Sequence, residues 1–131
     1  MMVICVDDHP VLLKGLVKNV RSSVPQAEVY GFTAAEEALS FSLAHGCDVL
    51  FCEIELYQRS GIWLAEQIRQ RFPMANIIFV TVCSEKEHAR DVFRLRSSGY
   101  LTKPATRGQI AEELRNLRYA VVASPAFSTD S

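Results

Sequence analysis

The sequence predicts an α/β protein: one doubly wound, five-stranded parallel sheet with helices on both faces. Three observations carry this. Short apolar runs and amphipathic helical segments alternate five times between Met2 and Leu117. The run Val49-Leu50-Phe51-Cys52 is too short for a helix and apolar throughout, as suits a strand buried on both faces. Four of the five strand-like runs end on polar residues, at Asp7-Asp8, Glu53, Thr81 and Thr102-Lys103. In a parallel sheet those ends share the edge where such folds hold ligands.

Met2 to Val6 reads as the first strand. Pro10 then suits the first turn of a helix, where its missing N–H is harmless. Val11, Leu12, Leu16 and Val20 give that helix an apolar stripe, and Pro25 ends the segment. Glu28 to Phe32 alternates weakly as a strand. Thr33 is the expected N-cap of the next helix, with Glu36 completing a capping box. Ala38, Leu39 and Leu43 follow as its inner face, and Gly46 as its C-terminal stop. After the central strand, Gly61 to Phe72 reads as a helix with Ile62, Ala65, Ile68 and Phe72 inward and Leu64 beside them. Pro73 stops it. Asn76 to Thr81 is the most hydrophobic strand. A polar helix is expected from about Glu85 to Arg96, with Ala89, Val92 and Phe93 apolar. Gly99 to Thr102 is a short strand. Thr106 caps a last helix carrying Ile110, Leu114 and Leu117. Beyond Tyr119 the composition turns to Ala, Ser, Pro and Thr, so residues 120–131 are expected to be a disordered tail or linker.

The chain has 131 residues, 49% of them hydrophobic, enough for one domain with a full core. A net charge of −1 gives no basic face for nucleic acid or anionic membrane. No apolar run approaches the length of a membrane span. Met1 leads straight into a strand without a basic leader or cleavage site, so a cytoplasmic location is expected. Cys5, Cys47, Cys52 and Cys83 lie in or beside apolar runs without a C-x-x-C pair. They read as reduced thiols rather than a disulfide or metal framework.

At the shared edge, three carboxylates (Asp7, Asp8, Glu53), a hydroxyl (Thr81) and an ammonium (Lys103) would meet. Carboxylates this close repel, and a hard divalent cation such as Mg²⁺ relieves that repulsion. A lysine and a threonine facing the metal suit a phosphoryl group. Each residue alone has a plainer reading: Asp-Asp as a polar turn, Thr as a strand former, Lys-Pro as a strand exit. Their joint placement is what points to a site.

The segments V-D-D-H-P at 6–10, C-D-V-L-F-C-E-I at 47–54, S-G at 60–61, I-I-F-V-T at 77–81 and S-G-Y-L-T-K-P at 98–104 resemble a receiver domain of a two-component response regulator. The likeness spans residues 2–119. It implies a flavodoxin-like, CheY-like sheet in the order 2-1-3-4-5 with five helices. It also implies Mg²⁺ on Asp7, Asp8, Glu53 and the Glu55 backbone carbonyl. Thr81 and Lys103 would contact a phosphoryl group, and Thr81 and Tyr100 would act as the switch pair. A sensor histidine kinase is the implied partner, with homodimerisation through the fourth helix, fifth strand and fifth helix. Arg90, Arg94, Arg96, Glu87, Asp91, Glu112 and Glu113 would supply charges of both signs there. The E-I-E-L stretch and the K-P-A-T-R-G-Q-I ending look most like LytTR-type receivers. Those usually carry a C-terminal DNA-binding domain, so DNA contact would fall to an output domain outside this chain.

Receivers accept phosphate on an aspartate, and that position here is Glu53. The extra methylene displaces the carboxylate by about 1.5 Å, and in-line transfer loses on the order of a hundredfold for 1 Å of misplacement. Phosphotransfer is therefore expected to be absent or very slow. The longer carboxylate is either a partial phosphate mimic or the mark of a silent pseudo-receiver that binds partners without phosphate. Tyr57-Gln58 replaces a frequent Pro-Gly, which alters the mouth of the site. Cys83 falls near the rim, His9 reads as a residue leading into the first helix, and Trp63 as packing. The expectation is a non-enzymatic signalling domain. Two rivals are weaker. An Mg²⁺-dependent phosphatase would want a D-x-D nucleophile motif where this chain has E-I-E. A nucleotide binder would want a Gly-rich loop after the first strand.

Overall fold

The computed structural model describes residues 1–121. Five strands, β1 (Met2–Val6), β2 (Glu28–Phe32), β3 (Val49–Cys52), β4 (Asn76–Thr81) and β5 (Gly99–Thr102), form one parallel sheet in the order β2-β1-β3-β4-β5. Five helices connect or follow them: α1 (Pro10–Ser23), α2 (Ala35–His45), α3 (Gly61–Arg71), α4 (Ala89–Arg94) and α5 (Arg107–Arg115). The expectation of a tail or linker at 120–131 concerns residues that, from 122 on, lie outside the described part.

The unbroken apolar character of β3 follows from its two faces. Successive side chains of a strand alternate between faces. Leu50 and Cys52 join Ile4, Val6, Ile77 and Phe79 beneath α2 and α3. Val49 and Phe51 join Val3, Cys5, Ile78 and Val80 beneath α1 and α5. A central strand with helices on both sides has no solvent face, so every position must be apolar.

The helices correct several details. Val11 and Leu12 are 82% and 48% exposed; the buried stripe of α1 is Leu16 and Val20, flanked by half-buried Leu13 and Val17. Spacings of three and four residues link 13, 16, 17 and 20 into one stripe over about two turns, and that stripe faces the sheet. Thr33 does not cap α2. The helix begins at Ala35 with Ala34 at the cap position and no side-chain cap. Ala35 is buried in the core, which sets where the first turn starts, and Glu36 and Glu37 lie at the positive end of the helix dipole. Leu43 is 44% exposed while Ser42 is buried. The expected long fourth helix is a 3₁₀ turn over Glu85–His88 followed by the short α4. Glu85-Lys86-Glu87-His88 has no apolar residue to seat an α-helical turn on the sheet. Phe93 is 77% exposed, and Val92 and Leu95 face the core instead. Thr106 caps α5 as expected, in a full capping box with Gln109.

Candidate functional site

The strands carry the site. The parallel ladder runs one residue past three strand ends: Asp7 N–H donates to Phe32 O at 3.1 Å, Glu53 N–H to Val6 O at 3.0 Å, and Lys103 N–H to Thr81 O at 2.7 Å. Each of those backbones is thereby fixed, and Asp7, Glu53, Thr81 and Lys103 converge at the C-terminal edge of the sheet.

Lys103 lies between two buried carboxylates, with Nζ 2.6 Å from Asp7 Oδ2 and 2.6 Å from Glu53 Oε1. Its side chain is only 11% exposed. Burial pulls the Lys103 ammonium down, but hydrogen bonds to Asp7 and Glu53 outweigh it and hold the group above its ordinary value. The other oxygen of Glu53 accepts from the Thr81 hydroxyl and, at 3.1 Å, from the Glu55 N–H. The carboxylate of Glu53 is thus bonded on both oxygens by the protein itself. Gly61 lets α3 begin against the end of β3: a Cβ there would stand 2.0 Å from the Glu53 carbonyl oxygen and 2.9 Å from Cys52 Sγ. Only glycine lets the start of α3 approach the end of β3 so closely.

Thr81 connects the site to the rim. Its Oγ1 accepts from Cys83 N–H at 3.3 Å, and the Tyr100 hydroxyl donates to Cys83 O at 2.9 Å. Tyr100 is half-buried with its ring 6.2 Å from that of Phe79. A chain of contacts therefore runs from Glu53 through Thr81 and Cys83 to Tyr100.

Asp8 stands apart from this network. Its Oδ2 accepts from Tyr57 N–H at 3.0 Å, tying the β3–α3 loop to the acidic pair. Its Oδ1 is buried without a hydrogen-bond partner. Gln58, next along that loop, holds φ at 74°, a conformation that suits glycine better. His9 leads into α1 as expected, at its N-cap position, and it also contacts both aspartates. Its Nδ1 lies 3.3 Å from Asp7 Oδ1 and 3.2 Å from Asp8 Oδ1, and its N–H donates to Asp7 Oδ1. Adjacency to two aspartates was the available signal. Trp63 packs under the Arg59 guanidinium, 4.4 Å from the ring centre. Arg94 is engaged within the chain, 2.7 Å from Glu66 and 2.8 Å from Asp91. An apolar groove of about 450 Å³, lined by Val11, Leu12, Val82 and Pro104, opens beside Asp7 and Lys103.

The resemblance implies Mg²⁺ on Asp7, Asp8, Glu53 and the Glu55 carbonyl. Asp7 and Asp8 offer hard oxygens on one side, and Asp8 Oδ1 is a buried acceptor that only the His9 ring approaches, at 3.2 Å. This half fits. Glu53 contributes nothing to it here, since both its oxygens are bonded to Thr81, Glu55 and Lys103.

Comparison with known proteins gives one consistent answer. The family model described as response regulator receiver domain matches residues 3–115. The transcriptional regulatory protein CitT of Bacillus subtilis is 29% identical over 97 residues, covering 72% of this chain and 43% of that protein. The transcriptional regulatory protein YpdB of Escherichia coli is 30% identical over 105 residues, covering 79% of this chain and 42% of that protein. The chain thus spans less than half the length of these curated relatives. Among solved structures, a receiver domain protein from Clostridium thermocellum superposes with a TM-score of 0.78 at 19% identity, covering 88% of this chain and 91% of that one. A LuxR-family two-component response regulator from Aurantimonas superposes with a TM-score of 0.76 at 25% identity, covering 87% of this chain and 81% of that one.

Proposed function

This chain belongs to the response regulator receiver family, and from that premise we propose that it signals without phosphorylation, Glu53 acting as a built-in substitute for a phosphorylated aspartate. The observation that supports this reading most is that Glu53 alone takes both contacts a phosphoryl group would want, the Lys103 ammonium and the Thr81 hydroxyl. A glutamate carries one negative charge where a phosphate carries about 1.5 to 2. Its mimicry is therefore partial in charge though good in reach. With Thr81 bonded to Glu53, the Cys83–Tyr100 contact is already made, so the switch pair rests in one position.

The partner is a histidine kinase or another component of a two-component system, as for receivers generally. The apolar groove beside α1, rimmed by Val11 and Leu12, is where a helical partner would seat. DNA contact belongs to an output domain, which the LytTR-like features suggest for the longer protein. Asp7 and Asp8 would hold Mg²⁺, which would supply charge neutralisation beside Lys103. No catalytic turnover is part of this reading.

The test is intact mass after incubation with Mg²⁺ and a small phosphodonor, on the natural chain and on Glu53→Asp. The expected result is one added phosphate on the Asp variant and none on the natural chain. Phosphate on the natural chain overturns the proposal. Phosphate on neither places the loss of function beyond Glu53, in the Tyr57-Gln58 loop, and favours a silent scaffold over a mimic.

A further inference from the structure

The corner between β4 and α4 gathers a second set of metal-ligating side chains, away from the acidic pair. We propose that Cys83, Glu87 and His88 form a binding site for a borderline-soft divalent cation, Zn²⁺, with a water completing the tetrahedron. One ligand atom from each lies within 4.8 Å of the other two. A tetrahedral Zn²⁺ with one sulfur, one nitrogen and one oxygen ligand needs these atoms about 3.3 to 3.8 Å apart. The required contraction is about 1 Å, within what side-chain rotation supplies.

Four features favour occupation. The donor set is chemically selective: thiolate and imidazole suit Zn²⁺ and are poor ligands for Mg²⁺. The sulfur is held in place, because the backbone of Cys83 is bonded on both sides, its N–H to Thr81 Oγ1 and its carbonyl from the Tyr100 hydroxyl. The other two donors are brought round by a tight turn, closed by Glu87 N–H to Ser84 O at 3.1 Å. Neither Glu87 nor His88 has an ion pair or a side-chain hydrogen bond among the described residues, so nothing need be broken to free them. On binding, the Cys83 thiol gives its proton to solvent and coordinates as thiolate.

The site's position gives it a role. Cys83 is the residue through which Thr81 and Tyr100 communicate. A cation bound there would pin the corner and hold both switch contacts together. This inference stands on the corner's own geometry and does not depend on how Glu53 is read.

The experiment is a Co²⁺ titration of the full chain in excess Mg²⁺, which occupies any all-oxygen site. The expected result is a thiolate-to-cobalt charge-transfer band with tetrahedral visible bands, saturating at one equivalent and abolished by added Zn²⁺. Cys83→Ser should remove the charge-transfer band. His88→Ala and Glu87→Gln should each weaken binding on the order of tenfold or more, at least what loss of a supporting group costs a metal site. Asp8→Asn should leave the band unchanged. Amide shifts on adding Zn²⁺ should concentrate at 81–89 and at Tyr100. The proposal is overturned by the absence of a thiolate band in the natural chain. It is equally overturned by a band that survives Cys83→Ser, which would place the metal on another cysteine, or by one lost in Asp8→Asn. If Cys83→Ser fails to fold by circular dichroism, the surface variant His88→Ala decides alone.

Discussion

The two halves of the acidic edge differ in how well the protein satisfies them. Around Glu53, both carboxylate oxygens are bonded, one by Lys103 and one by Thr81 and Glu55. Around Asp8, one oxygen takes a loop N–H from Tyr57 and the other is buried without a hydrogen bond. The Glu53 half is complete as the chain stands, while in the Asp8 half one oxygen has only the His9 ring beside it. Formally, three carboxylates face one ammonium at this edge, with the His9 ring beside both aspartates. The contrast teaches that two carboxylates of one sheet edge are held differently, Glu53 by side chains from the strand ends and Asp8 by a loop N–H and a histidine ring.

The largest effect should come from breaking the complete half. Lys103→Met removes the cation that bridges Asp7 and Glu53 and strands two buried carboxylates. Loss of one partner of a buried ion pair costs about 3–5 kcal/mol. Urea denaturation should show a loss of that order, with the slope unchanged if the fold is kept. A loss under about 1 kcal/mol, the range of an exposed pair, would mean that the edge is open to water.

The incomplete half should respond with the opposite sign. Asp8→Asn removes one of two adjacent negative charges while keeping an acceptor for Tyr57 N–H. Without divalent ions it should stabilise the chain by roughly 1 kcal/mol, the scale of repulsion between unit charges about 4 Å apart in water. The same substitution should abolish the stabilisation that Mg²⁺ gives the natural chain, since a ligand stabilises only through the native sites it fills. Thermal melts with and without Mg²⁺ read both effects. A destabilised variant in the absence of metal would erase the distinction between the halves.

Much of this site was legible from the chain because parallel strands bring their C-terminal ends to one edge. Asp7, Glu53, Thr81 and Lys103 could be grouped once the strands ending at Val6, Cys52, Thr81 and Thr102 were recognised. The five strands emerged with the bounds their apolar runs suggest, and for β1, β3 and β4 burial on both faces leaves little freedom in register. What could not be read was side-chain direction. The sequence does not show that Glu53 reaches Thr81 and Lys103 at once, since that depends on where its side chain turns at the strand end. Nor does it choose between two overlapping apolar stripes on α1, where Val11 and Leu12 turned outward and Leu13 and Val17 inward. Thr33 looked like a cap, but the burial of Ala35 set the start of α2. The residues from Glu85 to His88 held to a 3₁₀ turn because no apolar side chain anchors them, and that turn is what brings Glu87 and His88 towards Cys83.

The smallest effect follows the complete half outward to Tyr100. Burial first, then the charges of Cys83, Glu85 and Glu53, push its phenol from the ordinary 10.0 up to about 12. A raised phenol favours the neutral form in the folded chain. Its contribution to stability is therefore full below pH 10 and lost as pH rises through about 12. Absorbance titration of the phenolate, taken as the difference between the natural chain and Tyr100→Phe, should place the midpoint near 12. Glu53→Gln should lower that midpoint slightly, because Glu53 is one of the later contributors, whereas Asp8→Asn should not move it. A midpoint at the ordinary value would mean that the Tyr100 hydroxyl is free in water. The contact between Cys83 and Tyr100 would then be lost as the outer end of the Glu53 network, and the complete half of the site would end at Thr81.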